Sequence, residues 1–185
     1  MSIAAHDPGG KTRLRLQDGV YGEARFSVCG KYRLWLSREW QEDKDGPPTK
    51  VALWIGMNPS TAEDTVDDPT IRREIAFTRR LGCECYMKFN VMDYRATDPK
   101  KLLAPSVEPR SPGNLDLILS YAKHSDFVIA AWGALPKRLR HYANETQLAL
   151  QDAGIRLFCL GRTKDGSPRH PLYIAKTAEF EAFKQ

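Results

Sequence analysis

The sequence predicts an α/β fold: a three-layer α/β/α sandwich with a four-stranded parallel sheet and an N-terminal antiparallel hairpin at its edge. Three observations carry the prediction. After residue 50 the chain alternates short apolar runs with segments of helical periodicity, in the order β-α-β-α-β-α-β. Each apolar run has the length of a strand buried on both faces. Each run also opens at its carboxyl end into a loop that carries Gly, Asn, Trp or His.

The elements follow in order. Residues 1–24 are expected to be a flexible N-terminal segment and residues 25–185 a single domain, as suits a chain of 185 residues. Residues 25–40 read as a hairpin that turns at Gly30-Lys31, with Tyr32, Leu34 and Leu36 alternating with Arg33, Trp35 and Ser37. Residues 41–50 are charged, contain Gly46-Pro47-Pro48 and read as a surface loop. Val51 to Ile55 form the first parallel strand, which Gly56 ends. Asp68 is an N-cap with Pro69 at N1, and Ile71, Ile75, Thr78 and Leu81 recur at helical spacing until Gly82. Arg72, Arg73, Arg79 and Arg80 of this helix make either a solvated face or a phosphate-binding one.

Residues 85–90 are the second strand, and residues 98–112 an ordered surface excursion rich in Pro. Residues 114–123 are helical, and 127–131 form a third strand that closes at Trp132-Gly133. Pro136 opens a helix that runs to about residue 153, with Gly154 as its stop. Residues 155–160 are the fourth strand, and residues 177–183 one or two last helical turns.

Composition sets the class. The chain is 42% hydrophobic and 28% charged, enough for a core and ordinary for a water-exposed domain. No apolar run reaches the ~18–20 residues of a bilayer span, and the first ten residues lack a signal-peptide core, so a cytoplasmic protein without membrane contact is expected. A net charge of +5 permits a polyanionic partner without demanding one. Cys83-Glu-Cys85 lacks the spacing of a zinc site, so the four cysteines read as buried free thiols and no metal is expected. Strand alternation would put the sulfurs of Cys83 and Cys85 on the same face.

Right-handed crossovers place all four strand ends on one edge of the sheet, where open α/β sheets bind ligands. That edge gathers Asn58, Asn90, Trp132-Gly133 and the His170 loop. Asn58 has one acceptor and two donors, and either positions a water or substrate edge or caps its own turn. Ser60 and Thr61 either anchor a phosphate or cap the next segment. Asp64 and Asp67 are loop carboxylates that either serve as a general base or are simply solvated. Asn90 suits bidentate reading of a base-like edge, or satisfies loop backbone. Asp93 and Arg95 are further lining candidates. Pro171 holds His170 in extended backbone, so its ring can donate to a developing oxyanion. Arg162, Lys164 and Arg169 make that loop basic, as either solvated charges or phosphate contacts. The phosphate-loop, dinucleotide-binding and hydrolase-elbow motifs are absent from the sequence.

The segments Ile55-Gly-Met-Asn-Pro-Ser-Thr-Ala62, Asp67-Asp-Pro-Thr-Ile71, Ala131-Trp-Gly133 and Cys159 to Tyr173 resemble the signatures of a bacterial and phage domain-of-unknown-function family, over about residues 27–173. The order strand–Gly-x-Asn-Pro, strand–Asn, strand–Trp-Gly, strand–loop–His-Pro is also similar, more distantly, to the uracil-DNA glycosylase superfamily. That resemblance implies a four-stranded parallel sheet between helices and no metal or other cofactor. It implies that Asn58 orients the hydrolytic water, Asn90 reads a flipped base beside Gly56 and Met57, and His170 stabilises the departing base anion. It makes Leu172 a DNA wedge, and Tyr94 a candidate aromatic platform for the extruded base. Asn58 stands where the fastest members carry Asp, and Leu172-Tyr173 replace the Ser-Pro that commonly follows His-Pro. The expected function is excision of a damaged or modified base from DNA. The alternatives are a nucleic-acid or nucleotide binder without chemistry, and an enzyme on free nucleotides.

Overall fold

The computed structural model describes residues 13–40 and 50–184. The expectations for residues 1–12 and 41–49 lie outside the described residues. The strands are β1 (Leu14–Arg15), β2 (Tyr21–Phe26), β3 (Arg33–Glu39), β4 (Val51–Gly56), β5 (Val66–Asp67), β6 (Cys85–Asn90), β7 (Phe127–Ala130), β8 (Leu157–Cys159) and β9 (Glu181–Ala182). The helices are α1 (Pro69–Arg80), α2 (Asn114–Ala122) and α3 (Arg140–Asp152). No helix among the described residues is long and apolar enough to cross a membrane.

The main sheet has seven strands in the order β2-β3-β6-β4-β7-β8-β9. Its middle, β6-β4-β7-β8, pairs in parallel. Antiparallel neighbours extend it on both sides, β3 and β2 beyond β6 and β9 beyond β8. The sheet is therefore mixed, which corrects the expected four-stranded parallel one. The extension satisfies backbone groups that would otherwise stand open along β6 and β8. A separate two-stranded ribbon pairs β1 with β5. Residues 14–15 and 21–24, expected to be flexible, are thus strand residues.

Helices cover both faces. Ile71, Ile75 and Phe77 of α1 pack with Ala52, Trp54 and Ile129 on one face. Ile118 and Ala122 of α2 and Ala143 and Leu150 of α3 pack with Leu53, Ile55, Phe89 and Val128 on the other. Burying each large apolar side chain contributes about 1.5–3 kcal/mol. Fully buried Trp54 also keeps its polar handle, donating from Nε1 to Thr78 Oγ1 at 2.8 Å. The start of α1 is as predicted: Asp68 Oδ1 accepts from the Ile71 amide at 2.9 Å, ahead of Pro69. The third helix is shorter than predicted, because Lys137–Leu139 form a 3₁₀ turn before α3.

Residues 181–182 are strand, where the sequence suggested helix. Phe180 joins the α1 side of the core and Phe183 the α2/α3 side. Residues three apart reach opposite faces only in an extended chain; in a helix they share one. The Phe183 amide closes the edge by donating to Leu157 O at 2.8 Å. Cys83, Cys85 and Cys159 are buried free thiols as expected, and two points differ from expectation. Cys29 is exposed, and its neighbour Ser27 lowers its thiol pKa. Cys83 and Cys85 are buried in opposite cores, because Cys83 precedes the strand and alternation does not yet apply.

One feature of the topology fixes the site. From β4 the chain crosses to β6 on one side, and from β6 it crosses back to β7 on the other. The loops after β4 and β7 therefore diverge, and the crevice between them is where such sheets bind ligands.

Candidate functional site

A cavity of about 580 Å³ occupies this crevice. All four parallel strands contribute to its lining. Gly56, Met57, Asn58 and Ser60 come from the end of β4 and its loop, and Lys88 and Asn90 from β6. Trp132 and Gly133 follow β7, and Arg169, His170 and Leu172 follow β8. Gly133 has φ +72°, and a Cβ there would lie 3.5 Å from the His170 Cβ, so this turn and the His170 loop sit against each other.

Asn90 is the most informative residue. It is 1% exposed, and neither Oδ1 nor Nδ2 has a hydrogen-bond partner. A buried polar atom without its bond costs roughly 1–3 kcal/mol. Here an amide with both donor and acceptor capacity borders an empty volume. Ser60 Oγ, also in the lining, is buried and unpartnered too.

Asn58 is partly committed. Its Nδ2 donates to Ala96 O at 2.7 Å and to Pro59 O at 3.0 Å. The two bonds orient the amide and leave Oδ1 as its acceptor. His170 caps the 3₁₀ turn Pro171–Tyr173, its Nδ1 accepting from the Leu172 amide at 3.3 Å. An accepting Nδ1 puts the ring proton on Nε2, so the ring is a donor at its outer nitrogen. The exposed side chains of Leu172 and Tyr173 form an apolar rim, Tyr173 with its ring centroid 5.7 Å from that of His170.

The wall beside β6 holds charges that the sequence reading did not single out. Lys88 is 4% exposed and bonds both oxygens of fully buried Glu74, at 2.7 and 2.9 Å. The Tyr86 hydroxyl donates to the same carboxylate. Burial pushes the Glu74 carboxyl upward, against the pull of Lys88 and Tyr86, and holds the Tyr86 phenol well above 10. Arg33 also lines the cavity, donates to Ala62 O at 2.9 Å and keeps Nε unpartnered; burial lowers its guanidinium to about 10. Lys88 and Glu74 did carry a signal in the sequence. Lys88 interrupts an apolar strand, and Glu74 lies three residues after Ile71 on the buried face of α1.

Several expected lining residues lie elsewhere. Tyr94 packs edge-on against Tyr32 at 5.5 Å, outside the cavity. Thr61 is buried and not in the lining, Lys164 is exposed, and Arg162 borders a different cavity. Asp67 is held by Arg38 at 2.8 Å and Arg72 at 2.6 Å, and Asp64 accepts from the Thr65 amide at 2.9 Å. Asp93 accepts from the Ser111 amide at 2.7 Å, and Arg95 pairs with Glu63 at 2.7 Å. None of these four borders the cavity. The cavity carboxylate is that of Asp68, one oxygen of which caps α1.

The family model described as protein of unknown function (DUF1643) matches residues 33–172. The chain belongs to the DUF1643 family. The match begins at Arg33 and ends at Leu172, both lining residues, so the DUF1643 region contains the cavity apart from Tyr173 and Ile174. No curated protein and no solved structure matches the chain.

Proposed function

We propose that the protein is a nucleobase-excising hydrolase related in design to the uracil-DNA glycosylases, acting on a nucleotide turned out of DNA into the cavity. The observation that carries this reading is the buried, unpartnered amide of Asn90 facing the cavity, with an acceptor on Asn58 and a donor on His170 around the same space. An amide of this kind reads a planar heterocycle through paired donor and acceptor bonds. Gly56 and Met57 line the wall against which the base lies.

The chemistry needs little from the protein beyond position and charge. A water held on Asn58 Oδ1 attacks the anomeric carbon of the sugar. The carbon–nitrogen bond breaks, and its electron pair leaves with the base. His170 Nε2–H hydrogen-bonds the departing anion, which takes up the proton that the water releases. The products are a free base and an abasic sugar. Leu172 and Tyr173 fill the gap in the stack. Lys100, Lys101, Lys137, Arg138, Lys164 and Arg169 are exposed on the loops of the same sheet edge and suit the sugar–phosphate backbone.

One feature favours a second reading, a nucleotide-binding protein without chemistry: Asn58 is an amide and cannot take a proton. Single-turnover assays separate the two. Oligonucleotides containing uracil, hypoxanthine, xanthine or 5-hydroxymethyluracil are incubated with the protein and free bases measured by mass spectrometry. The proposal expects release that falls by about 100-fold or more in His170→Ala. DNA binding without release from any substrate would favour the binder.

A further inference from the structure

A second cavity, of about 480 Å³, shares Trp132 and the 161–170 loop with the first but is lined by other loop residues. One wall is a polar stripe of α3: Arg140, Asn144 and Gln147, spaced four and three residues apart and so on one face. Gln147 is 6% exposed, and its Nε2 has no hydrogen-bond partner. Arg162 and Lys184 also line the cavity. Arg162 stacks over the Phe183 ring at 5.0 Å, with Glu181 3.7 Å from its Nε. Asp165 is the carboxylate of the lining, and its oxygens are engaged by Thr163 Oγ1, the Ser167 amide at 3.3 Å and Arg140 at 3.2 Å.

The lining therefore offers donors in excess of acceptors, and its three cations meet two carboxylates, Asp165 on Arg140 and Glu181 beside Arg162, which leaves one positive charge in excess. A buried amide donor without a partner completes the set. A neutral ligand leaves this excess charge unmatched, and a cationic one is repelled by it. A compact, acceptor-rich anion uses every group. We propose that this cavity is a binding site for a phosphate group, held by Gln147 Nε2, Arg140, Arg162 and Lys184. The sequence leaves Arg162 as either a solvated charge or a phosphate ligand, and it borders this cavity rather than the first. The assignment stands apart from the chemistry proposed for the first cavity and does not need it.

The test is a titration of inorganic phosphate into the ¹⁵N-labelled full chain at constant ionic strength. It is followed at the Gln147 side-chain amide, which is identified by its loss in Gln147→Met. The expected result is a saturable shift of that peak, with Asn90 unmoved. Arg162→Gln weakens binding about tenfold, as loss of a charge-assisted bond implies, with a folded protein verified by the unshifted remainder of the spectrum. A polynucleotide source of the phosphate predicts that a single-stranded oligonucleotide moves the same peak at lower concentration and competes with phosphate. A free-phosphate source predicts that only phosphate moves it. Either pattern supports the site. An unmoved Gln147 peak, or equal phosphate affinity in Arg162→Gln, overturns it.

Discussion

Gly56 makes the room in which Asn90 and Lys88 sit. Gly56 and Asn90 face each other in the β4–β6 register, and a Cβ on Gly56 would lie 2.7 Å from Lys88 Nζ, 2.9 Å from Lys88 Cε and 3.0 Å from Asn90 Oδ1. The glycine lets a buried ammonium and a buried amide approach the strand end together. Gly56→Ala should therefore push Lys88 toward Asn90. We expect a stability loss of about 1–3 kcal/mol in thermal melts, with a larger fractional loss of base release or ligand affinity. A variant that melts and binds as wild type would show that the contact is not needed. Asn58, Asn90 and His170 were legible in the sequence because residues at strand ends are positioned by topology alone. Arg33 was not. Alternation put it on the face away from Leu34 and Leu36, with Trp35 and Ser37, and singled out neither face as buried. Yet β3 is an internal strand, and Arg33 is 2% exposed. Period-2 patterning tells two faces apart only when one of them meets water.

At the scale of elements, α1 holds the His170 segment in place. Of its four arginines Arg79 and Arg80 are exposed, and all four also have partners within the protein. Arg72 pairs with Asp67, and Arg79 lies 4.7 Å over the Trp40 ring. Arg73 donates to Ile174 O, and Arg80 to Lys176 O at 2.7 Å and Ala178 O at 3.0 Å. Arg73 and Arg80, two turns apart, thus strap the chain that leaves His170 onto the helix. Replacing both with Gln should raise amide hydrogen exchange in residues 172–178 while the α1 amides stay protected, and should reduce base release more than stability. Unchanged exchange there would remove the strap. Sequence reading located α1 and its cap because both depend on near neighbours. It could not find the strap, which joins residues about a hundred positions apart, nor β9, whose two phenylalanines are sorted by cores built from distant strands.

At the scale of the molecule, the arrangement of strands gathers the site. Four loops, each read separately from the sequence, line one cavity because three parallel crossovers bring them to one edge. The same burial sets an alkaline limit. Desolvation raises the thiols of Cys83 and Cys159 to about 11 and that of Cys85 to about 12, from an ordinary value of 9.0. Above pH 9 the unfolded chain loses these protons while the folded one keeps them, so folded stability should fall as pH rises from about 9 toward 11 to 12. Denaturant melts across that interval test this, and replacing Cys85 with Ala should flatten the slope. The central claim is that Asn90 reads a base in the cavity at the β4–β7 crevice. Its most direct test is a crystal structure of the chain grown with millimolar free uracil, hypoxanthine or xanthine. The account predicts a planar base against Gly56 and Met57, with both Asn90 side-chain atoms in hydrogen bonds to its edge. Saturating base bound elsewhere, or a cavity that stays empty with Asn90 unpartnered, would contradict it.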